Sequence, residues 1–292
     1  MLGELLSLSA ALCWAIGASM YKVSLERVNP IGLNFVRSIP ATALLFLITV
    51  SMGKADAFAM LDERITVYVL GASLIAWAIG DSLYFAGLKF IGVSRTVPLS
   101  YSYPLFILPL SLWLLHEPLT YNTLIGSLSI ILSIWLISRS FDHGGDAARS
   151  DKYWLGVISA LLAAICWAMG VVAFKYIMLF LDPIFLAFLR LLIIIPILGL
   201  LTMTTRIRKT IFRLSRRELA LALIGGTIAL GLGDLIYLIG LDLTQANIAG
   251  ALAATTPIFS GVIAIIVLGE KVNLKVALGI ILVTLGAGLL MG

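Results

Sequence analysis

The chain repeats itself once, at a fixed spacing of 153 residues, inside stretches that are almost wholly apolar. The segment "GDSLYFAGL" at 80–88 recurs as "GDLIYLIGL" at 233–241, and "CWAIG" at 13–17 recurs as "CWAMG" at 166–170. No insertion interrupts this register, which continues to Gly126 and Gly279. A register held this long indicates a duplicated unit, so the two halves should share one fold.

The repeat lies in a chain that is 61% hydrophobic and only 12% charged. Soluble domains are about 45–50% apolar and about 25% charged, so a water-soluble fold would expose large apolar patches. Ten stretches approach the ~20 residues of a membrane helix, and the alternation of a β-barrel is absent. They run 5–22, 31–52, 65–88, 93–115, 119–137, 154–176, 184–203, 219–241, 246–268 and 274–291.

Each half holds five of these ten predicted helices. Because five is odd, the second half must enter the membrane from the opposite side, which produces an inverted repeat. The sequence therefore predicts an all-α integral membrane protein of ten transmembrane helices, arranged as two inverted five-helix repeats. The first repeat spans 1–139, a polar linker spans 140–153, and the second repeat spans 154–292.

This pattern resembles the EamA-type, ten-helix members of the drug/metabolite transporter superfamily. The resemblance is carried by the first helix of each half, "ALCWAIG" and "AICWAMG", and by "NP" and "DP" openings that are each followed by an arginine. It is also carried by the glutamate-containing segments "LLHEPLTYNTLIG" and "VLGEKVNLKVALG". The resemblance covers nearly the whole chain, and it implies a multi-pass plasma-membrane carrier of small metabolites without naming the solute.

Loop charge and this resemblance imply opposite orientations in the membrane. Of the 20 Lys and Arg residues, 15 lie in odd-numbered loops and three in even-numbered loops. Because cytoplasmic loops carry the excess of positive charge, the count places both termini outside. Family members are often drawn with both termini inside, so the resemblance implies the reverse.

Asp81 and Asp234 are the strongest candidates for function. A charged Asp near the bilayer centre costs ~2.5–3.5 kcal/mol on insertion scales, and such groups usually face the bundle interior or a wet cavity. Each aspartate could bind substrate or carry a coupling proton, or it could be a structural acceptor paired with a buried base. If inversion places both around one shared cavity, neither should contact lipid.

Two further kinds of residue are candidates for lining that cavity. Arg37 and Arg190 could bind an anion or pair with an aspartate, or they could snorkel to the membrane interface. Tyr84 and Tyr237 follow the aspartates by three residues, on the same helical face. With Trp14 they could line the cavity or stack on an aromatic solute, the alternative being packing or an interfacial belt. Further aromatic surface is offered by Trp167, Tyr101 and Tyr103.

Pro104 and Pro257 interrupt the fourth and ninth predicted helices. A proline in a helix interior removes a backbone hydrogen bond, and neighbouring Ser and Thr residues can satisfy the freed carbonyls. Each proline is therefore a hinge or a helix break at the substrate site, or a static kink. Glu117 and Glu270, near the ends of the same helices, could form a gate or a cap, or be solvated or structural.

The function that the sequence favours is a secondary-active transporter, an exporter of amino acids, amines or related small metabolites. Its halves would rock around a central cavity in alternating access. The sequence contains no Walker A motif, so ATP is not the direct drive. Its two Cys and two His lack metal-site spacing, so no cofactor or metal is predicted. The expected partners are the solute, membrane lipid and a coupling proton, with no nucleic acid, for a monomer or a homodimer.

Two other functional classes stay open. The segment "GLGD" at 231–234 matches the GxGD motif of intramembrane aspartyl proteases, whose two aspartates share a proton and activate water. That family pairs GxGD with a Tyr-Asp dipeptide, which this sequence lacks, and residues 78–81 read "AIGD". The remaining alternative is a membrane sensor or scaffold that transports nothing.

Overall fold

The computed structural model describes residues 1–25, 28–140, 152–203, 205–268 and 274–291. All regular secondary structure in those ranges is helical, which confirms the predicted fold class. Eight segments there are long and apolar enough to cross a membrane, and two shorter apolar helices, Tyr121–Leu136 and Ala277–Met291, lie at the fifth and tenth predicted positions. The count of ten membrane helices therefore stays a prediction. Most of the predicted linker, residues 141–151, lies outside the described ranges.

Several of the predicted spans consist of two helices in succession. The helices of the first half are α1 Leu2–Leu25, α2 Pro30–Ser51, α3 Glu63–Ser73, α4 Asp81–Ile91, α5 Val93–Ser100, α6 Pro104–Leu114 and α7 Tyr121–Ser140. Those of the second half are α8 Tyr153–Ile177, α9 Pro183–Thr202, α10 Thr205–Ile211, α11 Arg216–Gly226, α12 Asp234–Leu243, α13 Ala246–Ala253, α14 Thr256–Leu268 and α15 Leu274–Met291. A 3-10 helix, Ala55–Met60, follows α2.

Two π-helical segments stand at equivalent positions of the two halves. Leu74–Gly80 joins α3 to α4, and Thr227–Gly233 joins α11 to α12. Each segment ends directly before one of the two membrane aspartates. A π segment widens the helix by one residue per turn, and such segments are frequent at functional sites. The third and eighth spans are thus continuous helices with a widened centre.

Matching caps begin α2 and α9. The side chains of Asn29 and Asp182 each accept a hydrogen bond from the backbone N–H two residues later, at 3.0 Å and 2.9 Å. Pro30 and Pro183 follow in the first turn, where the N–H that proline lacks is not needed. Both helices therefore begin with an N-cap side chain followed by a proline. Because the caps set where each helix begins, they also set the depth of the arginine two turns further on.

The contacts between the halves are antiparallel, as inversion requires. Near the start of α1, Gly3 lies against Gly240, and near its end Gly17 lies against Ala229. The helix α1 therefore runs opposite to the span that contains Asp234, and α8 meets the span that contains Asp81 in the same way. If the second half were not inverted, the first and eighth spans would cross the membrane in the same direction.

The helices α7 and α15 pack against each other through small residues. Gly126 lies against Gly286, and the Ser133 hydroxyl donates a 2.6 Å hydrogen bond to the carbonyl oxygen of Gly279. The 153-residue repeat relates Gly126 to Gly279 and Ser133 to Gly286, so it converts one contact into the other. The pseudo-two-fold axis therefore passes between α7 and α15. All four residues are buried. Small residues that would also suit a dimer contact are therefore used inside the chain.

The fourth and ninth spans are broken at their prolines. A turn at 101–103 separates α5 from α6, which begins at Pro104, and a turn at 254–255 separates α13 from α14, which has Pro257 as its second residue. The hydroxyls of Ser102 and Thr255 each donate a 2.6 Å hydrogen bond to the carbonyl three residues earlier. The mid-helix position predicted for both prolines is thus wrong. Pro104 is the first residue of α6 and Pro257 is the second residue of α14, positions where a proline removes no helical hydrogen bond.

Candidate functional site

Two buried ion pairs lie at equivalent positions of the two halves. Arg37 Nη2 lies 2.7 Å from Asp81 Oδ2, and Arg190 Nη2 lies 2.7 Å from Asp234 Oδ2. The paired side chains are 9% and 9% exposed in the first half, and 1% and 0% exposed in the second. Both guanidinium groups therefore contact carboxylates inside the bundle, which excludes snorkelling to the interface.

Each aspartate also accepts a hydrogen bond from a tryptophan of the opposite half. Trp167 Nε1 donates a 3.1 Å hydrogen bond to Asp81 Oδ1, and Trp14 Nε1 donates a 2.7 Å hydrogen bond to Asp234 Oδ1. One oxygen of each carboxylate thus contacts an arginine of its own half, and the other contacts an indole of the opposite half. Both aspartates lie buried where the two halves meet.

Glycines let the crossing helices approach at this point. A Cβ placed on Gly80 would lie 3.0 Å from Trp167 Cδ1, and a Cβ placed on Gly233 would lie 2.9 Å from the Cβ of Cys13. Each glycine is the last residue of a π segment and directly precedes an aspartate. The close approach brings each indole N–H within reach of the carboxylate.

The tyrosines proposed to line the cavity pack against the same tryptophans with their rings tilted. The ring centres of Tyr84 and Trp167 lie 5.2 Å apart, and those of Tyr237 and Trp14 lie 5.1 Å apart. Both distances are in the range of favourable aromatic pairs, which contribute about 0.5–1.5 kcal/mol beyond buried area. The tyrosines therefore hold the indoles in the orientation that reaches the aspartates.

The aromatic surface extends further on one side only. The rings of Tyr101 and Tyr103 lie 5.6 Å and 6.1 Å from the Trp167 ring, at the break between α5 and α6. At the equivalent break of the second half the repeat places Ala254 and Thr256. The two halves of the site are thus related in backbone but differ in aromatic content.

Aromatic rings also cover the arginines. Arg37 Cζ lies 4.9 Å from the ring centre of Tyr21, and Arg190 Cζ lies 4.9 Å from Trp77 and 5.6 Å from Phe174. Tyr21 and Phe174 are equivalent in the repeat. Cation–π contacts contribute about 0.5–2 kcal/mol, more when water is excluded. They help to offset the cost of burying each guanidinium.

A small cleft reaches the first ion pair. Its cavity volume is about 10 Å³, room for about one water molecule. The residues that line it are Asn34, Arg37, Ser38, Trp77 and Asp81 from the first half, and Leu191, Ile194, Leu198 and Leu230 from the second. The cleft is too small for an amino acid, so the ion pair is closed off from any solute of that size in this conformation.

Glu117 is a cap between the halves. Its Oε1 accepts a 2.6 Å hydrogen bond from the backbone N–H of Ala246, and its Oε2 accepts one of 3.2 Å from Asn247. These are the first two residues of α13, so the carboxylate lies at a helix N-terminus, where negative charge is favourable. The equivalent Glu270 lies outside the described residues.

Comparison with known proteins follows the same division of the chain. Residues 1–139 and residues 154–292 each match the EamA-like transporter family. The chain belongs to this family. A protein of Archaeoglobus fulgidus named "Uncharacterized transporter" is 26% identical over 291 residues, covering 100% of this chain and 98% of that protein. A solved crystal structure with 18% identity matches with a TM-score of 0.82, over 98% of this chain and 95% of that one. At that identity, the likeness shows the fold.

This EamA-like chain is therefore a multi-pass membrane transporter. Its polar centre contains residues that sequence reasoning missed. Asn34 lies three residues before Arg37 on the same helical face, and a search for polar neighbours of a membrane arginine would have found it. Ser38 follows Arg37 directly and lines the same cleft. Trp77 and the two π segments have no comparable signal, because they depend on how the helices pack.

Proposed function

We propose that the protein is a secondary-active exporter of small metabolites, such as amino acids, amines or related solutes, that works by alternating access in the plasma membrane. The observation that carries this proposal is the crosswise binding of the aspartates. Asp81 and Asp234 each contact an arginine of their own half and an indole of the other. Each ion pair lies within one half, whereas both indole bonds cross between the halves. Rocking of one half against the other must therefore change both indole bonds, which couples the charged centre to the motion.

The closed cleft supports an occluded state in this cycle. A solute of amino-acid size enters only when the halves separate, and the helix breaks at Pro104 and Pro257 are the places where they can bend. In discontinuous helices, hinges absorb backbone changes with little loss of packing. We therefore assign hinge roles to both prolines and cavity-lining roles to Tyr84, Tyr237 and Trp14.

The charges and rings support the substrate class. Arg37 and Asp81 provide one cation and one anion, and the rings of Tyr84 and Trp167 provide an aromatic surface. A zwitterion or an amine that separates the ion pair finds a partner for each of its charges. A carboxylate that loses its arginine can also take up a proton, which gives a route for proton coupling.

The protease alternative is weaker, because each carboxylate already lies between an arginine and an indole. An aspartyl dyad needs two carboxyl groups that share one proton and one water. Here Asp81 and Asp234 each contact an arginine through Oδ2 and an indole through Oδ1. We therefore propose no enzymatic activity.

Metabolite profiling of cells and medium tests the exporter proposal. Cells that overexpress the wild type are compared, at matched membrane levels, with cells that express an Arg37→Gln, Asp81→Asn double variant. The double variant is chosen because replacing one partner leaves a buried, uncompensated charge. A solute that moves from cells to medium only with the wild type supports the proposal and identifies the substrate.

The other outcomes are equally informative. If the wild type shifts no solute, transport is contradicted and the sensor alternative is favoured. If a solute moves from medium to cells, the carrier stands and the export direction is wrong. If both proteins export the same solute equally, the first ion pair has no role in transport.

A further inference from the structure

The two ion pairs are equivalent in the repeat but differ in their surroundings. Asn34 and Ser38 lie beside the arginine of the first pair, and both line the cleft. The repeat places Ala187 and Leu191 beside the arginine of the second pair. The first pair therefore has neighbours that can form hydrogen bonds, whereas the second has apolar ones.

The second guanidinium is also covered more completely. Two rings lie on it, those of Trp77 and Phe174, at 4.9 Å and 5.6 Å from Arg190 Cζ. The first guanidinium has the ring of Tyr21, and the position equivalent to Trp77 is Leu230, which lines the cleft. The first pair thus has a leucine where the second pair has the larger tryptophan ring.

Exposure follows this difference. Arg190 and Asp234 are 1% and 0% exposed, whereas Arg37 and Asp81 are each 9% exposed and border the cleft. The buried Nε atoms of Arg37 and Arg190 both lack a hydrogen-bond partner among the described residues. A guanidinium has five N–H donors in a planar fork, so each group retains a donor, but of the two arginines Arg37 is the one that borders the cleft.

These differences decide which pair can open. Separating a buried pair is costly because it leaves two charges without partners. Around the second pair, apolar side chains and rings offer no replacement. Around the first, Asn34, Ser38 and an entering solute do. The first pair should therefore separate at the lower cost.

We propose that the duplicated ion pairs have divided their roles, so that Arg37 is the ligand-binding arginine and Arg190–Asp234 is a permanently closed anchor. This proposal rests on the transporter function above. Arg37 separates from Asp81 and binds a carboxylate of the solute, with the side-chain amide of Asn34 supplying a further hydrogen bond, whereas the Ser38 hydroxyl already donates a 2.7 Å hydrogen bond to the Asn34 backbone carbonyl. A planar guanidinium suits a carboxylate because two parallel N–H···O bonds form at once.

Thiol labelling tests this division without knowledge of the solute. Cys13→Ala and Cys166→Ala together remove both cysteines of the chain. Into this background either Asn34→Cys or Ala187→Cys is introduced, at equivalent positions beside the two arginines. The purified proteins in detergent react with 2-sulfonatoethyl methanethiosulfonate, an anionic, water-soluble thiol reagent. Complete reaction after denaturation in sodium dodecyl sulfate confirms that both thiols are intact.

We expect the thiol at 34 to react roughly tenfold faster than that at 187, a difference of about 1.4 kcal/mol in the cost of opening. Equal rates, a faster reaction at 187, or no reaction at either position within an hour overturns the proposal. Should Asn34→Cys fail to fold, Ser38→Cys reports on the same cleft and is compared with Ala187→Cys by the same criterion.

The charge of the reagent tests the anion-binding role. The thiol at 34 should prefer the anionic reagent over its trimethylammonium analogue. Addition of Arg37→Gln with Asp81→Asn should remove this preference, and a preference that persists overturns the role of Arg37. Neither measurement depends on transport. Expected labelling with no solute in the profiling contradicts only the transporter function, and a transported solute with equal labelling contradicts only the division of roles.

Discussion

Trp14 and Asp234 lie 220 residues apart and are joined by a 2.7 Å hydrogen bond from the indole N–H to the carboxylate. The repeat forms the same bond between Trp167 and Asp81 at 3.1 Å. In both cases the donor and the acceptor belong to different halves, so the two bonds connect the halves at their charged centre. Any change in how the halves pack must stretch or break them.

Replacing Trp14 by Phe should lower the free energy of unfolding by about 1.5–3 kcal/mol, the contribution of a hydrogen bond to a charged group. The phenyl ring keeps a surface for Tyr237, so the loss is mainly that of the donor. Denaturation in detergent micelles measures the change. Trp113→Phe is the control, because Trp113 is 74% exposed and its replacement should cost less than about 0.5 kcal/mol. Equal losses in the two variants would contradict the role of the indole bond.

Gly80→Ala and Gly233→Ala should each destabilise the protein by about 1–3 kcal/mol, the usual cost of overpacking a tight contact. The new methyl group would push the crossing helix away and lengthen the indole–carboxylate bond. Gly71→Ala is the matched control, because a Cβ there meets nothing within 4 Å and alanine favours a helix interior. Thermal unfolding of the three variants in one detergent gives the comparison. A Gly80→Ala protein as stable as the Gly71→Ala protein would show that the close approach is not needed.

Arg190→Gln should cost about 3–5 kcal/mol of stability, because it leaves Asp234 buried without a partner of opposite charge. The Arg190→Gln, Asp234→Asn double variant should recover much of that loss, since no charge then remains. Arg37→Gln should cost less, because Asp81, although buried, borders the cleft. Chemical denaturation of the single and double variants, analysed as a double-mutant cycle, measures each coupling. Losses of equal size at the two pairs would argue that their surroundings are equivalent.

Glu117→Ala should lower stability by about 0.5–2 kcal/mol, the range for loss of a helix cap. The change removes the acceptors for the first two N–H groups of α13 and leaves those donors buried. Glu117→Gln keeps one acceptor oxygen and should retain part of the stability. Unfolding of both variants under identical conditions separates the capping role from a purely steric one. If glutamine costs as much as alanine, the negative charge is what matters.

Pro104→Ala and Pro257→Ala should leave stability within about 0.5 kcal/mol, because each proline stands in the first turn of a helix. Their export rates should fall by roughly three- to tenfold, as expected for hinge positions. Pro109→Ala, inside α6, is the control for general effects of removing a proline. The rate is measured with the solute found by profiling. Unchanged export in both hinge variants would make the breaks static features.

The sequence by itself determined that the chain lies in lipid and that its fold divides into two halves. In lipid, a helix provides hydrogen-bond partners for the backbone N–H and C=O groups of an apolar stretch. Long apolar stretches therefore predict membrane-spanning helices wherever they occur. An odd number of spans in each half then requires inversion, whatever the side chains are. Asn29 and Asp182 were predictable as caps for a similar reason, because capping depends on residues that are adjacent in the chain.

The tertiary structure alone decided which groups meet the aspartates. The register of 153 residues pairs Trp14 with Trp167, but it says nothing of which half each indole contacts. That choice depends on antiparallel crossings set by Gly80 and Gly233. The register also implies that the two ion pairs are alike. They differ because Asn34 faces the cleft where Ala187 is packed in the core, and burial is a property of the surrounding helices rather than of the repeat.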